Sequence, residues 1–179
     1  MNKLLLVLAV FACAEASAQS HAHAHGGSAQ TETSSYAGEE ARDIKALSAQ
    51  EQRAWLEGKG LGLAKAAELN SFPGPMHVLE NAKKLALSAS QEMQTRELML
   101  RHKAEVRELG AEVVAAERRL DDLFRSRRVT SAEVGALTQQ LGSLQARIRA
   151  AHLSTHLEQT AFLGAKQIAA YDELRGYAR

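Results

Sequence analysis

The feature that most constrains the fold is the sequence after Pro75, which contains no further proline and repeats apolar residues every three or four positions. This spacing places the apolar side chains along one stripe of an α-helix. The stripe consists of two runs, Met99, His102, Val106, Leu109, Val113, Ala116, Leu120 and Leu123, then Val134, Leu137, Leu141, Leu144, Ile148 and Ala151. Because only the short segment "RSRRVT" separates the runs, the two helices must pack antiparallel. We therefore predict an all-α fold, with a long antiparallel helical hairpin over about residues 88–162 and short flanking helices.

Capping boxes indicate where these helices begin. In "LSASQ", Leu87–Gln91, the hydroxyl of Ser88 can accept a hydrogen bond from the backbone three residues later, while Gln91 accepts one from the backbone of Ser88. The same arrangement is present at Thr130–Glu133 and at Ser48–Glu51. We expect a helix to start after each of these boxes.

A weaker copy of the box occurs near the C-terminus. "LGAKQ", Leu163–Gln167, keeps the leucine and the glutamine but has Gly164 where the other boxes have a hydroxyl. Leu163 and Ile168 keep the spacing of a hydrophobic staple. This pattern predicts a third helix start.

Several apolar residues fall outside the predicted seam of the hairpin. They are Leu98, Leu100, Val114, Phe124, Leu153, Leu157 and Phe162. Two paired helices leave two faces open to water, so these side chains need another cover. We expect the N-terminal segments, the last helix or a second subunit to bury them, and we predict a homodimer.

The N-terminus has the layout of a secretory signal peptide. Lys3 precedes an apolar run over Leu4–Ala14, and Ala16–Ala18 forms the A-x-A pattern of a cleavage site. We predict that residues 1–18 are removed and that the mature chain lies in the periplasm. No later apolar run has the length of a membrane span, so we expect no integral membrane segment. In an alternative interpretation the chain is a lipoprotein anchored through Cys13.

The rest of the chain divides by composition. Residues 19–35 contain Ala, Ser, Thr, Gly and His without an apolar period, which is typical of a disordered arm. Residues 36–179 are expected to form a single helical domain. Within it, Gly58, Gly60 and Gly62 interrupt the helical pattern, and the two prolines of "SFPGPMH" mark a turn.

Charge and motif content argue against two classes of function. The net charge is +1, and the arginine clusters alternate with Asp121 and Asp122, so we expect no nucleic-acid partner. The sequence contains no Gly-rich phosphate loop, no H-E-x-x-H and no G-x-S-x-G. We therefore expect that the protein is not an enzyme and requires no cofactor.

A first group of histidines stands in the arm, in "SHAHAHGG". Cleavage after Ala18 would make His21 the third residue of the mature chain. A free amine, two backbone nitrogens and a third-position imidazole can form the square-planar site that copper(II) or nickel(II) prefers. His23 and His25 would add a second, looser cluster. The alternative is a polar tail whose histidines bind nothing.

A second group of histidines belongs to the predicted hairpin. "HLSTH" places His152 and His156 four residues apart on one helix face, a spacing that lets both bind one metal ion. If the hairpin tip lies near residues 128–129, His102 comes level with Thr155. Side chains expected close by are Met99, Glu105 and Glu158. We predict a candidate metal site at His102, His152 and His156, with zinc, copper or nickel as candidate ions; the alternative is a set of packed, hydrogen-bonded histidines.

The leader, the hairpin and the Leu-Ser/Thr-x-x-Gln box together resemble the periplasmic Spy/CpxP family of LTxxQ-motif proteins. The resemblance covers about residues 76–176. The residues that carry the family motif are Leu87, Ser88, Gln91, Leu163 and Gln167. The second box departs from the motif at Gly164, and residues 36–75 are longer than the N-terminal segment of the best-known members.

This resemblance implies an all-helical, commonly dimeric protein with a concave surface. Some members of the family act as chaperones without ATP, some damp an envelope-stress sensor kinase, and relatives bind zinc, copper or nickel. Two functions are therefore expected as alternatives. One is a periplasmic ATP-independent chaperone or envelope-stress modulator that binds unfolded or partner proteins; the other is a periplasmic heavy-metal sensor or resistance protein of the same fold.

Overall fold

The computed structural model of the protein describes residues 33–177, and the described residues from Tyr36 onward form one compact unit. Its elements are a 3-10 turn Glu39–Ala41 and helices α1 Ala49–Leu56, α2 Lys65–Glu68, α3 Pro75–Glu80, α4 Ala89–Arg125, α5 Ser131–Ala161 and α6 Ala165–Arg175. Residues 33–177 contain no β-strand, which confirms the all-α prediction. The predicted signal peptide and most of the predicted arm lie outside the described residues.

The long helices α4 and α5 lie side by side and antiparallel. Thr95 near the start of α4 accepts a hydrogen bond of 3.1 Å from Gln159 near the end of α5. The core between the helices consists of stripe positions, namely Val106, Leu109, Val113, Ala116, Leu141, Leu144, Ile148 and Ala151. Burying one such leucine, valine or isoleucine contributes roughly 1.5–3 kcal/mol. The apolar period therefore identified the side chains that hold the two helices together.

The predicted capping boxes lie at the observed helix starts. Ser88 Oγ accepts from the backbone N–H of Gln91 at 3.2 Å, and Gln91 Oε1 accepts from the backbone N–H of Ser88 at 3.0 Å. The pairs at Thr130–Glu133 and Ser48–Glu51 form the same reciprocal bonds before α5 and α1. Each box provides partners for N–H groups that the first turn of a helix leaves unpaired.

The N-terminal part of the domain covers one side of α4. Ile44 and Leu47 pack with Val114, and Trp55 of α1 lies against the same cluster. A Cβ atom at Gly110 would lie 2.1 Å from the backbone oxygen of Trp55, so α1 and α4 touch through their backbones. This contact fixes the position of the loop that follows α1.

A second apolar cluster joins the two ends of the domain. It consists of Val78, Leu85, Leu163 and Tyr171, and Tyr171 is fully buried. The cluster packs α6 against α3 and the segment before α4. It holds the start of α4 and the end of α5 near the same N-terminal elements.

The apolar residues outside the seam have different environments. Buried or half-buried are Leu98, Val114, Leu153 and Phe162. Exposed by 56–71% are Leu100, Phe124 and Leu157. The N-terminal segments do cover Val114, as expected, whereas cover by a second subunit stays a prediction. Among residues 33–177, none of the helices combines the length and the hydropathy needed to cross a bilayer.

Candidate functional site

A cleft of about 740 Å³ opens beside the hairpin. It lies between the facing sides of α4 and α5, the loop between α1 and α2, and the segment Gly74–His77. The histidines of the described residues all line it, namely His77, His102, His152 and His156. Its volume falls within the range of about 300–1,000 Å³ that is typical of small-ligand sites. The cleft is therefore the candidate functional site.

A chain of hydrogen bonds runs across the hairpin at the base of the cleft. Thr155 Oγ1 lies 3.0 Å from His102 Nδ1, and His102 Nε2 lies 3.0 Å from His152 Nδ1. The two rings meet edge to face with centroids 4.6 Å apart. His152 is only 6% exposed, and its Nε2 is buried without a hydrogen-bond partner. The chain thus ends at an unpaired ring nitrogen on the side of the cleft.

Both histidines of this chain are neutral at pH 7. The pKa of His102 is lowered to about 4, mainly by burial and to a smaller extent by the charges of His152 and His156. Burial, followed by the charge of His156, also lowers the pKa of His152. A neutral imidazole carries one N–H and one lone pair, so the hydrogen atoms along the chain must all point the same way. The unpaired Nε2 of His152 is therefore a donor in one arrangement and a lone pair in the other.

His156 has a defined tautomer when it is neutral. Its Nδ1 lies 2.7 Å from the backbone oxygen of Phe72, and a carbonyl only accepts, so Nδ1 carries the hydrogen. The lone pair is then on Nε2, which packs against Gly74: a Cβ atom there would lie 3.0 Å from Nε2 and 2.8 Å from Cε1. Glycine at this position leaves room for the imidazole at the edge of the cleft.

Glu68 connects α2 to the C-terminal helix beneath the cleft. Its Oε1 accepts from the hydroxyls of Tyr171 at 2.6 Å and Tyr177 at 3.3 Å, and from Arg175 Nε at 3.3 Å. Its other oxygen lies 3.7 Å from His156 Nδ1. Burial and the carboxylate of Glu68 raise the pKa of Tyr171, so this hydroxyl keeps its proton. Because both tyrosines and Arg175 bind Glu68, its carboxylate adds little unpaired negative charge to the cleft.

The charged side chains around the cleft are mostly positive. Lys59 pairs with Glu57 at 3.0 Å, at the edge of the loop. Lys65, Lys103 and Arg107 also line the cleft, and none of them forms an ion pair with another residue of the described part of the chain. The cleft therefore has an excess of positive charge, which favours an anionic group over a cation.

The predicted interhelical histidines come together as expected, with His102 bonded to Thr155. Met99 lines the same cleft, whereas Glu105 and Glu158 line a second groove, which His102 and Thr155 also border. Glu158 pairs there with Arg101 at 2.6 Å. Within residues 33–177, no three His, Cys, Asp or Glu side chains are arranged to hold one metal ion. The predicted arm ligands His21, His23 and His25 lie outside the described residues.

The two predicted motif glutamines meet each other below the cleft. Gln91 Nε2 donates to Gln167 Oε1 at 2.9 Å, and Gln167 Nε2 donates to Gln91 Oε1 at 3.1 Å. Gln91 also donates to the backbone oxygen of Phe162 at 2.7 Å, and Gln167 to that of Leu85 at 3.1 Å. Gln167 Oε1 accepts from Gly164 N at 2.9 Å, so the second box keeps its glutamine bond without a side-chain cap. These residues hold helix ends together and do not line the cleft.

Sequence reasoning missed several residues of the cleft. In the sequence, Gly58, Gly60 and Gly62 indicate only breaks in a helix, and "SFPGPMH" indicates only a turn. Both segments form walls of the cleft, which lies beside the histidines that the hairpin register brought together. Clustered glycines mark a loop, so this segment could be predicted as a loop, but nothing in its sequence indicates that it lies beside the histidines.

The cleft thus combines apolar lips, buried neutral histidines and unpaired basic side chains. Comparison of the chain with protein-family models, with curated proteins and with solved structures finds no significant match.

Proposed function

We propose that the protein is a non-enzymatic binding protein of the periplasm, an ATP-independent chaperone or envelope-stress modulator of the Spy/CpxP kind, and that the cleft is its binding surface. One observation carries this proposal. Leu61 and Met76 at the lips of the cleft are 48% and 47% exposed, and the unpaired cations Lys65 and Arg107 line the same cleft. Apolar and basic groups side by side suit a segment of protein chain that carries both apolar and acidic residues.

The chemistry of the lips also suits weak, reversible binding. Met76 and Met99 have flexible, polarizable side chains that adapt to different partners. An open cleft gives such a segment partial burial, so binding needs no coupled hydrolysis for release. Further exposed apolar side chains, such as Leu100 and Leu157, lie outside the cleft and give a matched comparison.

The test is suppression of aggregation of a reduced, unfolding client protein without ATP. The protein at several-fold molar excess should keep the client in solution. Met76→Glu, which places a negative charge at the lip, should abolish the effect, whereas Leu157→Glu, at an exposed site away from the cleft, should not. Glutamate is tolerated in the first turn of α3, so loss of function would not reflect loss of the helix. If the unchanged protein does not suppress aggregation, the chaperone proposal is wrong. If the two variants have equal effects, the cleft is not the binding surface.

A second candidate function is metal binding, as a periplasmic heavy-metal sensor or resistance protein. The observation in its favour is that His152, His156, Met76 and Met99 line one cleft. Imidazole nitrogens suit zinc, copper and nickel, and thioethers suit copper(I). The neighbouring cations Lys65, Lys103 and Arg107 oppose a metal ion, which is why this candidate ranks second.

Calorimetric titration with copper(II), nickel(II) and zinc(II) distinguishes the two candidate metal sites, the arm and the cleft. A variant without residues 19–25 should lose tight copper(II) or nickel(II) binding if the arm is the site. His156→Gln keeps a donor for the Phe72 carbonyl and removes the ring lone pair, so it should lose binding if the cleft is the site. Heat changes near zero for all three ions with the unchanged protein would exclude this candidate.

A further inference from the structure

The loop between α1 and α2 presents consecutive backbone N–H groups without an acceptor. Within residues 33–177, the N–H groups of Gly60, Leu61 and Gly62 donate no hydrogen bond, and all three residues are exposed. The carbonyls of Gly60 and Gly62 are used inside the loop, where they accept from Leu63 at 2.7 Å and Lys65 at 3.2 Å. Leu61 and Gly62 have φ angles of +46° and +76°. Successive N–H groups next to left-handed residues form concavities that bind anions.

Three basic or polar side chains border this short loop. A Cβ atom at Gly62 would lie 3.8 Å from Lys65 Nζ, and one at Gly58 would lie 3.1 Å from Arg107 Cγ. A Cβ atom at Gly60 would lie 3.8 Å from Cε1 of His152, whose buried Nε2 has no partner. The loop therefore has two unpaired cations and one unpaired, nine-tenths-buried ring nitrogen beside its free N–H groups.

We infer that the loop Gly58–Gly62 is a carboxylate-binding site, which takes an aspartate or glutamate side chain of the protein segment bound in the cleft. The inference rests on the proposed function and names the residue type that the cleft selects. The carboxylate accepts from the loop N–H groups and pairs with Lys65 and Arg107, and His152 Nε2–H is a further donor. Charge-assisted bonds of this kind are stronger than neutral ones. The exposed side chains of Leu61 and Met76 contact the apolar neighbours of the acidic residue.

Binding of a carboxylate selects one arrangement of hydrogens in the histidine chain. His152 then carries its hydrogen on Nε2, so its Nδ1 accepts from His102 Nε2–H, and His102 Nδ1 accepts from the Thr155 hydroxyl. A metal ion at His152 Nε2 would select the opposite arrangement, with the lone pair on Nε2. The tautomer of His152 in the bound state therefore distinguishes the two kinds of ligand.

The experiment compares two fluorescent peptides with blocked ends, a leucine- and phenylalanine-rich octapeptide with one central aspartate and the same peptide with asparagine. The aspartate peptide should bind about tenfold more tightly, because a charge-assisted hydrogen bond contributes about one factor of ten or more. Arg107→Gln and Lys65→Gln should each remove most of this difference. Arg149→Gln and Lys84→Gln, at exposed sites without ion pairs among the described residues, should leave it unchanged. In the aspartate complex, ¹⁵N NMR should show the Nε2–H tautomer of His152.

The possible results separate this inference from the proposed function. Equal binding of the two peptides, or an aspartate preference that survives Arg107→Gln and Lys65→Gln, would overturn the carboxylate site and leave the binding protein intact. If neither peptide binds, acetate is titrated and the amide resonances of Gly60–Gly62 are followed. Shifts that Arg107→Gln abolishes would keep the carboxylate site and reject protein segments as its ligand, whereas absence of shifts would reject both.

Discussion

Gly110 lies where the short helix α1 meets the long helix α4. It is buried, and the backbone of Trp55 approaches so closely that no side chain fits between them. A single glycine inside the 37-residue helix α4 costs about 1 kcal/mol of helix stability relative to alanine, so its presence calls for a packing reason. The contact with Trp55 is that reason, and it also fixes where α1 ends and the carboxylate-binding loop begins.

Replacing this glycine should therefore destabilise the protein despite the better helix propensity of alanine. The new Cβ would lie 2.1 Å from the Trp55 oxygen and 2.8 Å from its carbonyl carbon, so the backbone of α1 must move. We expect Gly110→Ala to lower the free energy of unfolding by about 1–3 kcal/mol, as overpacking does. The measurement is urea unfolding followed by circular dichroism.

Gly142→Ala is the matched control for this substitution. Gly142 is an exposed residue of α5 with no atom within 4 Å of the added Cβ, so the same change should stabilise by up to about 1 kcal/mol. Equal effects of the two substitutions on stability would show that the contact with Trp55 does not exclude a side chain at Gly110.

Some residues of the site could be placed from the sequence because a regular period determines their position. The hairpin register brought His102 level with Thr155, and the two side chains are hydrogen-bonded. The carboxylate-binding loop has no period, and its place beside His152 depends on the contact of Gly110 with Trp55. Gly110 allows this contact because it has no side chain, and a single glycine does not show in the sequence which backbone packs against it. The position of the loop beside His152 could therefore not be predicted.

At the level of the secondary-structure elements, the two motif glutamines act in two ways. Each accepts from the backbone N–H at the start of its own helix, and each donates to a carbonyl of the other segment. The first role is local and could be predicted from the spacing of the capping boxes. The second role joins the start of α4 to the start of α6, and it requires the tertiary structure that brings residues 76 positions apart together.

Gln91→Glu separates these two roles. Glutamate serves equally well as the third residue of a capping box, so the start of α4 should keep its cap. The carboxylate cannot donate to the Phe162 carbonyl or to Gln167, and it places negative charge against both acceptors. We expect a loss of about 1–3 kcal/mol in the free energy of unfolding, as for buried acceptors left without a donor. The measurement is denaturant unfolding beside Gln139→Glu, an exposed position of α5, and unchanged stability in Gln91→Glu would limit the glutamine to its capping role.

For the whole molecule, the sequence predicted the fold class and the hairpin, since both follow from apolar period and capping. It also predicted that the apolar residues outside the seam must be buried by another part of the protein, and the structure buries only some of them. The N-terminal segments bury Val114, but Leu100, Phe124 and Leu157 remain exposed. The short N-terminal helices could not be docked in advance, because they have too few apolar residues to define one stripe each. Their docked position converts one open face of the hairpin into the walls of the cleft.

The cleft also makes the stability of the whole domain depend on pH. His102 has a pKa of about 4 in the folded protein, compared with its ordinary value of 6.5, so between these values the unfolded chain holds a proton that the folded protein lacks. The contribution of His102 to stability is therefore fully present above pH 6.5 and is lost as the pH falls towards 4. The lowered pKa of His152 adds to the same trend.

Urea unfolding between pH 7.5 and 4.5 measures this dependence, and His102→Gln is the informative variant. Glutamine can still bond to His152 and Thr155 but does not titrate, so the variant should lose most of the slope between pH 6 and pH 5. Carboxylates with lowered pKa values, such as Asp43 and Glu133, are protonated at more acidic pH. Burial raises the pKa of Glu117, so its protonation opposes the histidine trend at the acid end of this range. A slope in His102→Gln equal to that of the unchanged protein would mean that the buried pair at the base of the cleft is not what makes folding sensitive to acid.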